Sequence, residues 1–255
     1  MILVTGAGGF IGSHLVERLV TDGHKVRAFV RYNSLSDEGF LKLLHPDQKS
    51  YVEIYRGDVR DLSSVMGAMK GIGTIYHLAA LGNVHFSQDQ PSMVHSVNTT
   101  GTLNVLLAAK TCGIDKIVHV SSSEVYGTAR YTPMDENHPL QPQSPYAASK
   151  VGADALALSF YHSYKLPVVI ARPFNVYGPR QSARGFISSV LVQAIVNKVV
   201  KVGNTDVTRD YTYVSDTVDG LIKIDQSGIV GEVVNIGSGR EISLNELIQK
   251  CVDTR

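Results

Sequence analysis

The chain has 255 residues, 44% of them hydrophobic and 18% charged, a globular composition long enough for one large domain or a domain with a smaller lobe. Its 24 Lys and Arg against 23 Asp and Glu leave a net charge of +1 with no basic run, which argues against a nucleic-acid or anionic membrane partner. Two isolated cysteines (Cys112 and Cys251) argue against a disulfide framework, and no apolar run reaches the ~18 residues of a membrane span, so a reducing, cytoplasmic setting without a signal peptide is expected.

Short apolar runs alternate with helix-period stretches. Strands are predicted at Ile2–Thr5, Lys25–Val30, Tyr51–Tyr55, Thr74–His77, Lys116–Val120 and Pro167–Ala171. Helices are predicted between them at Phe10–Thr21, Ser36–Leu44, Leu62–Met69, Ser92–Cys112 and Tyr146–Tyr164. This alternation implies right-handed crossovers, so the expected fold is an α/β, Rossmann-type doubly wound parallel sheet. After Ala171 the rhythm breaks: Arg172–Arg184 reads as a loop, followed by a helix over Phe186–Val196 and a short strand at Val199–Val202. Ser215 is the expected cap of a further helix, and Val233–Ile236 with the segment from Ile242 onward is expected to form a small C-terminal substrate-binding lobe. The predicted division is a dinucleotide-binding domain over 1–171, with 211–230 returning to it, and a lobe made of 172–210 and 231–255. Ser243–Cys251 reads as a helix in progress, so part of that lobe is expected to be missing.

Three glycines at Gly6, Gly9 and Gly12, with Phe10 and Ile11 between the last two, join the first strand to the first helix. That spacing suits a tight turn, a close approach to a pyrophosphate and phosphate binding at a helix N-terminus. The second strand ends on Arg31 with no acid before Asp37, which points to NADP, with NAD as the alternative. Asp58 and Val59 follow the third strand, where a carboxylate could accept from an adenine amino group. Leu78, Ala79 and Ala80 close the fourth with side chains small enough for a ribose to approach.

Tyr146 and Lys150 stand one helical turn apart, on one face. A neighbouring ammonium is expected to lower the phenol's pKa and make it an acid/base for an alcohol–ketone interconversion. Ser122, Ser123 and Glu124 leave the fifth strand at its carboxyl end, where such sheets bind ligands. No His or Cys spacing suggests a metal, and His77 and His119 read as core residues.

These motifs in this order resemble the extended short-chain dehydrogenases/reductases that act on nucleotide-linked sugars. The resemblance runs from Met1 to about Leu247 and adds Asn98, the run Arg172 to Arg180, and Arg209-Asp210-Tyr211. It implies a catalytic set of Ser122, Tyr146 and Lys150, with Asn175 and Arg209, joined by Arg180 and Arg184, around the nucleotide diphosphate of the substrate. It implies a cofactor that is retained and recycled, and a homodimer formed through a four-helix bundle. Glu124 occupies the base position of the family's 4,6-dehydratases, while Ser123 stands where some have Asp. The stretches Val30–Ser34, Glu124–Ala129, His138–Tyr146 and Pro179–Arg184 look like legionaminic-acid-pathway enzymes, dehydratases of nucleotide-linked N-acetylglucosamine. The expected activity is therefore 4,6-dehydration. A 4-epimerase or a UDP-glucuronate decarboxylase on the same fold is the alternative.

Overall fold

The computed structural model describes residues 1–196 and 199–253. Seven strands form one all-parallel sheet: β1 (Ile2–Thr5), β2 (Val26–Arg31), β3 (Val52–Gly57), β4 (Thr74–His77), β5 (Lys116–Val120), β6 (Val168–Pro173) and β9 (Val233–Ile236). Their order is β3-β2-β1-β4-β5-β6-β9, so the chain reverses direction across the sheet between β1 and β4. That switch point opens a crevice at the strands' carboxyl ends. A second sheet, in the order β10-β8-β7, is built from β7 (Asn175–Tyr177), β8 (Thr208–Tyr213) and β10 (Glu241–Ser243).

Alternating residues of each central strand are buried on opposite faces, which explains their continuous Val/Ile/Leu character. Val4, Val118, Val120 and Val169 pack with Leu15 and Leu19 of α1 (Phe10–Thr21) and Val218 and Leu221 of α9 (Val214–Gln226). Leu3, Ile75, Ile117 and Ile170 pack on the other face. There they meet the helices α3 (Leu62–Ala68), α6 (Gly101–Cys112) and α7 (Pro145–Tyr164). The remaining helices are α2 (Pro46–Lys49), α4 (Val84–Asp89), α5 (Pro91–His95), α8 (Phe186–Val196) and α10 (Leu244–Asp253).

Several expectations are corrected. Ser36–Leu44 is not an α-helix: Asn33 accepts from the amides of Leu35 and Asp37, Gly39 takes φ +64°, and only a 3-10 turn over Gly39–Leu43 forms. The Ser92–Cys112 helix is interrupted, α5 passing through a π-helical turn (Ser96–Thr100) into α6. Arg172 and Pro173 continue β6 and the supposed loop contains β7, because Asn175–Tyr177 finds a parallel partner in β8. Val199–Val202 is no strand; it pairs with no strand among the described residues, Val199 is exposed, and Lys201 N donates to the Gln193 side chain instead. Ser215 is not a cap, since the extended Tyr213 precedes the first turn of α9. Val233–Ile236 belongs to the large sheet rather than the lobe, pairing with β6 from Ile170 to Pro173.

Candidate active site

The crevice at the switch point is a cleft of about 860 Å³. The glycine turn, the ends of β2 to β6 and the start of α7 line it. The turn has no room for side chains at Gly6, Gly8 and Gly12. Gly6 takes φ +68°, and a Cβ there would lie 2.8 Å from Ala79 N; one at Gly12 would overlap the carbonyl of Gly6. Gly8 meets Glu38 O in the same way, at 2.5 Å, so the turn is packed between β4 and the 33–40 segment. The first turn of α1 holds no acid and Gly9 caps it without a side chain, leaving its amides aimed into the cleft. A backbone cradle at a helix N-terminus with no opposing charge fits a dinucleotide pyrophosphate.

Phe10, Ile11, Arg31, Asp58, Val59, Leu78, Ala79 and Ala80 all line this cleft. Asp58 is not an open acceptor: Arg60, two residues on, donates from Nε at 3.0 Å and from its terminal nitrogen at 2.6 Å. That pairing is the largest influence holding the Asp58 carboxyl below its ordinary value. Asn98 stands behind the wall, buried in the π turn. Its Oδ1 accepts from Leu81 N at 2.8 Å, and its Nδ2 donates to Leu81 O and to Ser149 Oγ at 2.9 Å.

At the far end, Ser122, Ser123, Glu124, Tyr146 and Lys150 converge on the same cleft. Ser122 caps a 3-10 turn over Ser123–Val125, its Oγ accepting from Glu124 N at 3.2 Å. Its hydroxyl proton is thereby free to point at Tyr146. Ser144 caps α7, its Oγ accepting from Ala147 N, with Pro145 in the first turn, which fixes Tyr146 and Lys150 on the cleft side.

The expected lowering of the tyrosine by its lysine is corrected. Burial pushes Tyr146 up to about 12, and the Ser122 hydroxyl pulls it back while Glu124 and Asp154 push it further up. Lys150 is itself driven down to about 8 by burial, with Asp154 opposing, and its Nζ donates to Val120 O at 2.6 Å. The protein alone therefore holds a neutral phenol in one cleft with an ammonium that gives up its proton more readily than an exposed lysine.

The sugar-side residues are less gathered. Asn175 lines the cleft, its Nδ2 donating to Asp210 O at 3.1 Å. Arg180, at φ +68°, turns away to α1, where it pairs with Glu17 at 2.6 Å. Arg184 and Arg209 are exposed and outside the cleft lining, Arg209 donating to the carbonyl of Thr208. Sequence reasoning missed Arg60, Asn33, Leu81 and Phe174 as lining residues. Arg60 was findable from its spacing to Asp58, whereas Phe174 carries no local signal. Among the described residues no group of three His, Cys, Asp or Glu could hold a metal, and no helix is long and apolar enough to cross a membrane.

Residues 3–254 match the family described as GDP-mannose 4,6 dehydratase. A UDP-glucose 4-epimerase of Mycolicibacterium smegmatis is 37% identical over 96% of this chain and 79% of its own. A dTDP-glucose 4,6-dehydratase of an Actinoplanes species is 36% identical over 97% of this chain and 79% of its own. Among solved structures, a double mutant of the Streptomyces venezuelae dTDP-glucose 4,6-dehydratase DesIV with NAD bound superposes with a TM-score of 0.92 at 32% identity. It covers all of this chain and 80% of that one.

Proposed function

Since the chain belongs to the GDP-mannose 4,6-dehydratase family of NAD(P)-dependent sugar-nucleotide enzymes, we propose that it works as a 4,6-dehydratase rather than an epimerase, on a nucleotide-linked N-acetylglucosamine. The observation that carries this reading is Glu124, which stands on the turn capped by Ser122 and lines the cleft close enough for its charge to act on Tyr146. An epimerase needs no second acid/base there.

The bound dinucleotide supplies removal of hydride from C4 of the sugar and its later return. Ser122 donates to O4 and holds it beside Tyr146, which in its phenolate form takes the 4-hydroxyl proton and becomes the neutral phenol. Burial makes that phenolate costly to form, so Lys150 supports it as a cation in the same cleft. Once C4 is a ketone, the proton on C5 is acidic and Glu124 removes it. Ser123, half-buried on the same turn, relays the proton taken up by Glu124 to the hydroxyl leaving C6 as water.

Asn175 holds the diphosphate of the substrate from the lobe side. The arginines Arg180, Arg184 and Arg209 join it when a nucleotide binds, since an anion there would compete for the Arg180 guanidinium now on Glu17. Arg31 favours NADP by facing a 2′-phosphate. The protein works in a cytoplasmic setting as a homodimer through α6 and α7, the dimer to be tested by sedimentation.

The reading is tested by Glu124→Gln. The variant should still exchange a deuterium label from C4 of the sugar with the cofactor, while water loss falls at least 100-fold, the scale of one general base. Dehydration at the wild-type rate would assign the base elsewhere. Full 4-epimerisation by the wild type would favour the epimerase, consistent with the Mycolicibacterium relative.

A further inference from the structure

His77 ends β4 directly behind the cofactor wall, 2% exposed, with both ring nitrogens bonded. Nδ1 lies 2.7 Å from Thr5 Oγ1 and Nε2 lies 3.0 Å from Thr102 Oγ1. The neighbours decide which nitrogen carries the proton. Thr5 Oγ1 accepts from the amides of Leu78 and Ala79, both at 3.1 Å, the Leu78 amide being shared with Thr5 O at 3.2 Å, so its own proton is best placed toward Nδ1. Thr102 donates its hydroxyl proton to Asn98 O at 2.5 Å, so toward His77 it can only accept. The Thr102 end requires a proton at Nε2, and the Thr5 end fits the same neutral tautomer. A second ring proton would face a hydroxyl oxygen with no acceptor left. Burial pulls the ring's pKa well down, and His119, stacked at 5.5 Å, and Lys150 add like charge in the same direction.

The circuit that passes through this ring ends at both edges of the cofactor wall. On one side it fixes the amides of Leu78 and Ala79, the latter the residue on which Gly6 packs. On the other it reaches Asn98 in the π turn, whose side chain clamps Leu81 by both backbone groups and reaches Ser149 between Tyr146 and Lys150. We propose that His77 is a positioning residue, a neutral ring whose tautomer is fixed from the π turn by Thr102 and which holds Thr5 in place for the Leu78 and Ala79 amides, and so orders the cofactor side of the cleft before ligand arrives. This rests on the dinucleotide-binding reading and not on which sugar reaction follows.

Two near-isosteric variants separate the halves of the circuit. His77→Asn keeps an acceptor near the place of Nδ1 and drops the Thr102 contact; His77→Gln keeps a donor near the place of Nε2 and drops the Thr5 contact. Dinucleotide affinity, measured by fluorescence titration with NADPH and NADH, should fall about tenfold in His77→Gln, the scale of one buried polar group left unpaired. In His77→Asn it should stay within about threefold. A merely structural role would lower thermal stability in both and leave their affinities equal. Independently, long-range ¹⁵N spectra of the wild type should show His77 neutral, with the proton on Nε2, from pH 5.5 to pH 8.5, roughly the span around a free imidazole's pKa. A ring that titrates in that range, a proton on Nδ1, or equal affinities in folded variants would overturn the proposal. A wild type that binds neither dinucleotide, yet shows the expected tautomer, would sink the functional reading instead.

Discussion

Replacing Arg172 by methionine removes one half of an ion pair that lies under the floor of the cleft. The guanidinium is 4% exposed and the Asp154 carboxylate 2%, with Nε and one terminal nitrogen each 3.0 Å from Asp154 Oδ2. The other terminal nitrogen donates to Tyr126 Oη at 3.0 Å. At that separation the attraction is about 5 kcal/mol for an effective dielectric of about 20, offset by the desolvation of both ions. Truncating the arginine leaves the Asp154 carboxylate buried without its guanidinium, facing only a His119 ring at 3.4 Å that burial keeps from charging, so Arg172→Met should cost about 3–5 kcal/mol. For a chain of this size that is a fall in Tm of roughly 10 °C, read by calorimetry. Tyr126 keeps its bond to Asn235 Oδ1 at 2.7 Å, so little of the loss comes from there. Adding Asp154→Asn should recover more than half of it by removing the stranded charge.

The pH dependence has a definite sign. Burial by itself would raise the Asp154 carboxyl, but His119 and Arg172 beside it more than reverse this and leave it below its ordinary value. The pair's contribution is therefore present above the unfolded carboxylate value of about 3.9 and lost as pH falls through the lower folded value. The gap between wild type and Arg172→Met should shrink in that acid window. A variant within about 1 kcal/mol of wild type at pH 7, or no recovery in the double variant, would refute the reasoning.

Two further outcomes follow from the same geometry. Lys150, driven by burial down to about 8, is held in the fold at a stability penalty of about 3 kcal/mol that is full below that pH and vanishes as pH rises to the unfolded value of about 10.5. The stability of Lys150→Met relative to wild type, followed by urea unfolding, should therefore decline between those two pH values; a flat difference would contradict the burial of a charged lysine. Arg31→Ala should weaken NADPH binding about tenfold and leave NADH binding within about twofold, in the same fluorescence titration. Equal losses for both dinucleotides would deny Arg31 its role at a 2′-phosphate.

The parallel sheet was legible because its strands are buried on both faces and read as unbroken apolar runs, as at Ile2–Val4 and Ile117–Val118. The catalytic end was legible for a related reason: Ser122, Glu124, Tyr146 and Lys150 sit at the end of a strand and one turn into a capped helix, where local geometry alone aims them. What escaped depended on partners distant in sequence. β7 exists only because Asn175–Tyr177 pairs with Tyr211–Tyr213, and Val199–Val202 fails because no strand among the described residues pairs with it. The pKa of Tyr146 was misjudged because spacing shows the lysine one turn away but not the burial that outweighs it. His77 read as a core residue, and it is buried; only the roles of Thr5 and Thr102, 72 and 25 residues away, reveal what the ring holds together.

The central claim is that Glu124 turns a transient C4 oxidation into loss of water. Its most direct test is mass spectrometry of UDP- and GDP-N-acetylglucosamine, GDP-mannose and UDP-glucuronate after incubation with the protein and catalytic NADP. The account predicts that an N-acetylglucosamine nucleotide loses one water, with no net reduction of the dinucleotide. An unchanged mass with inverted configuration at C4, or loss of carbon dioxide from UDP-glucuronate, would contradict it.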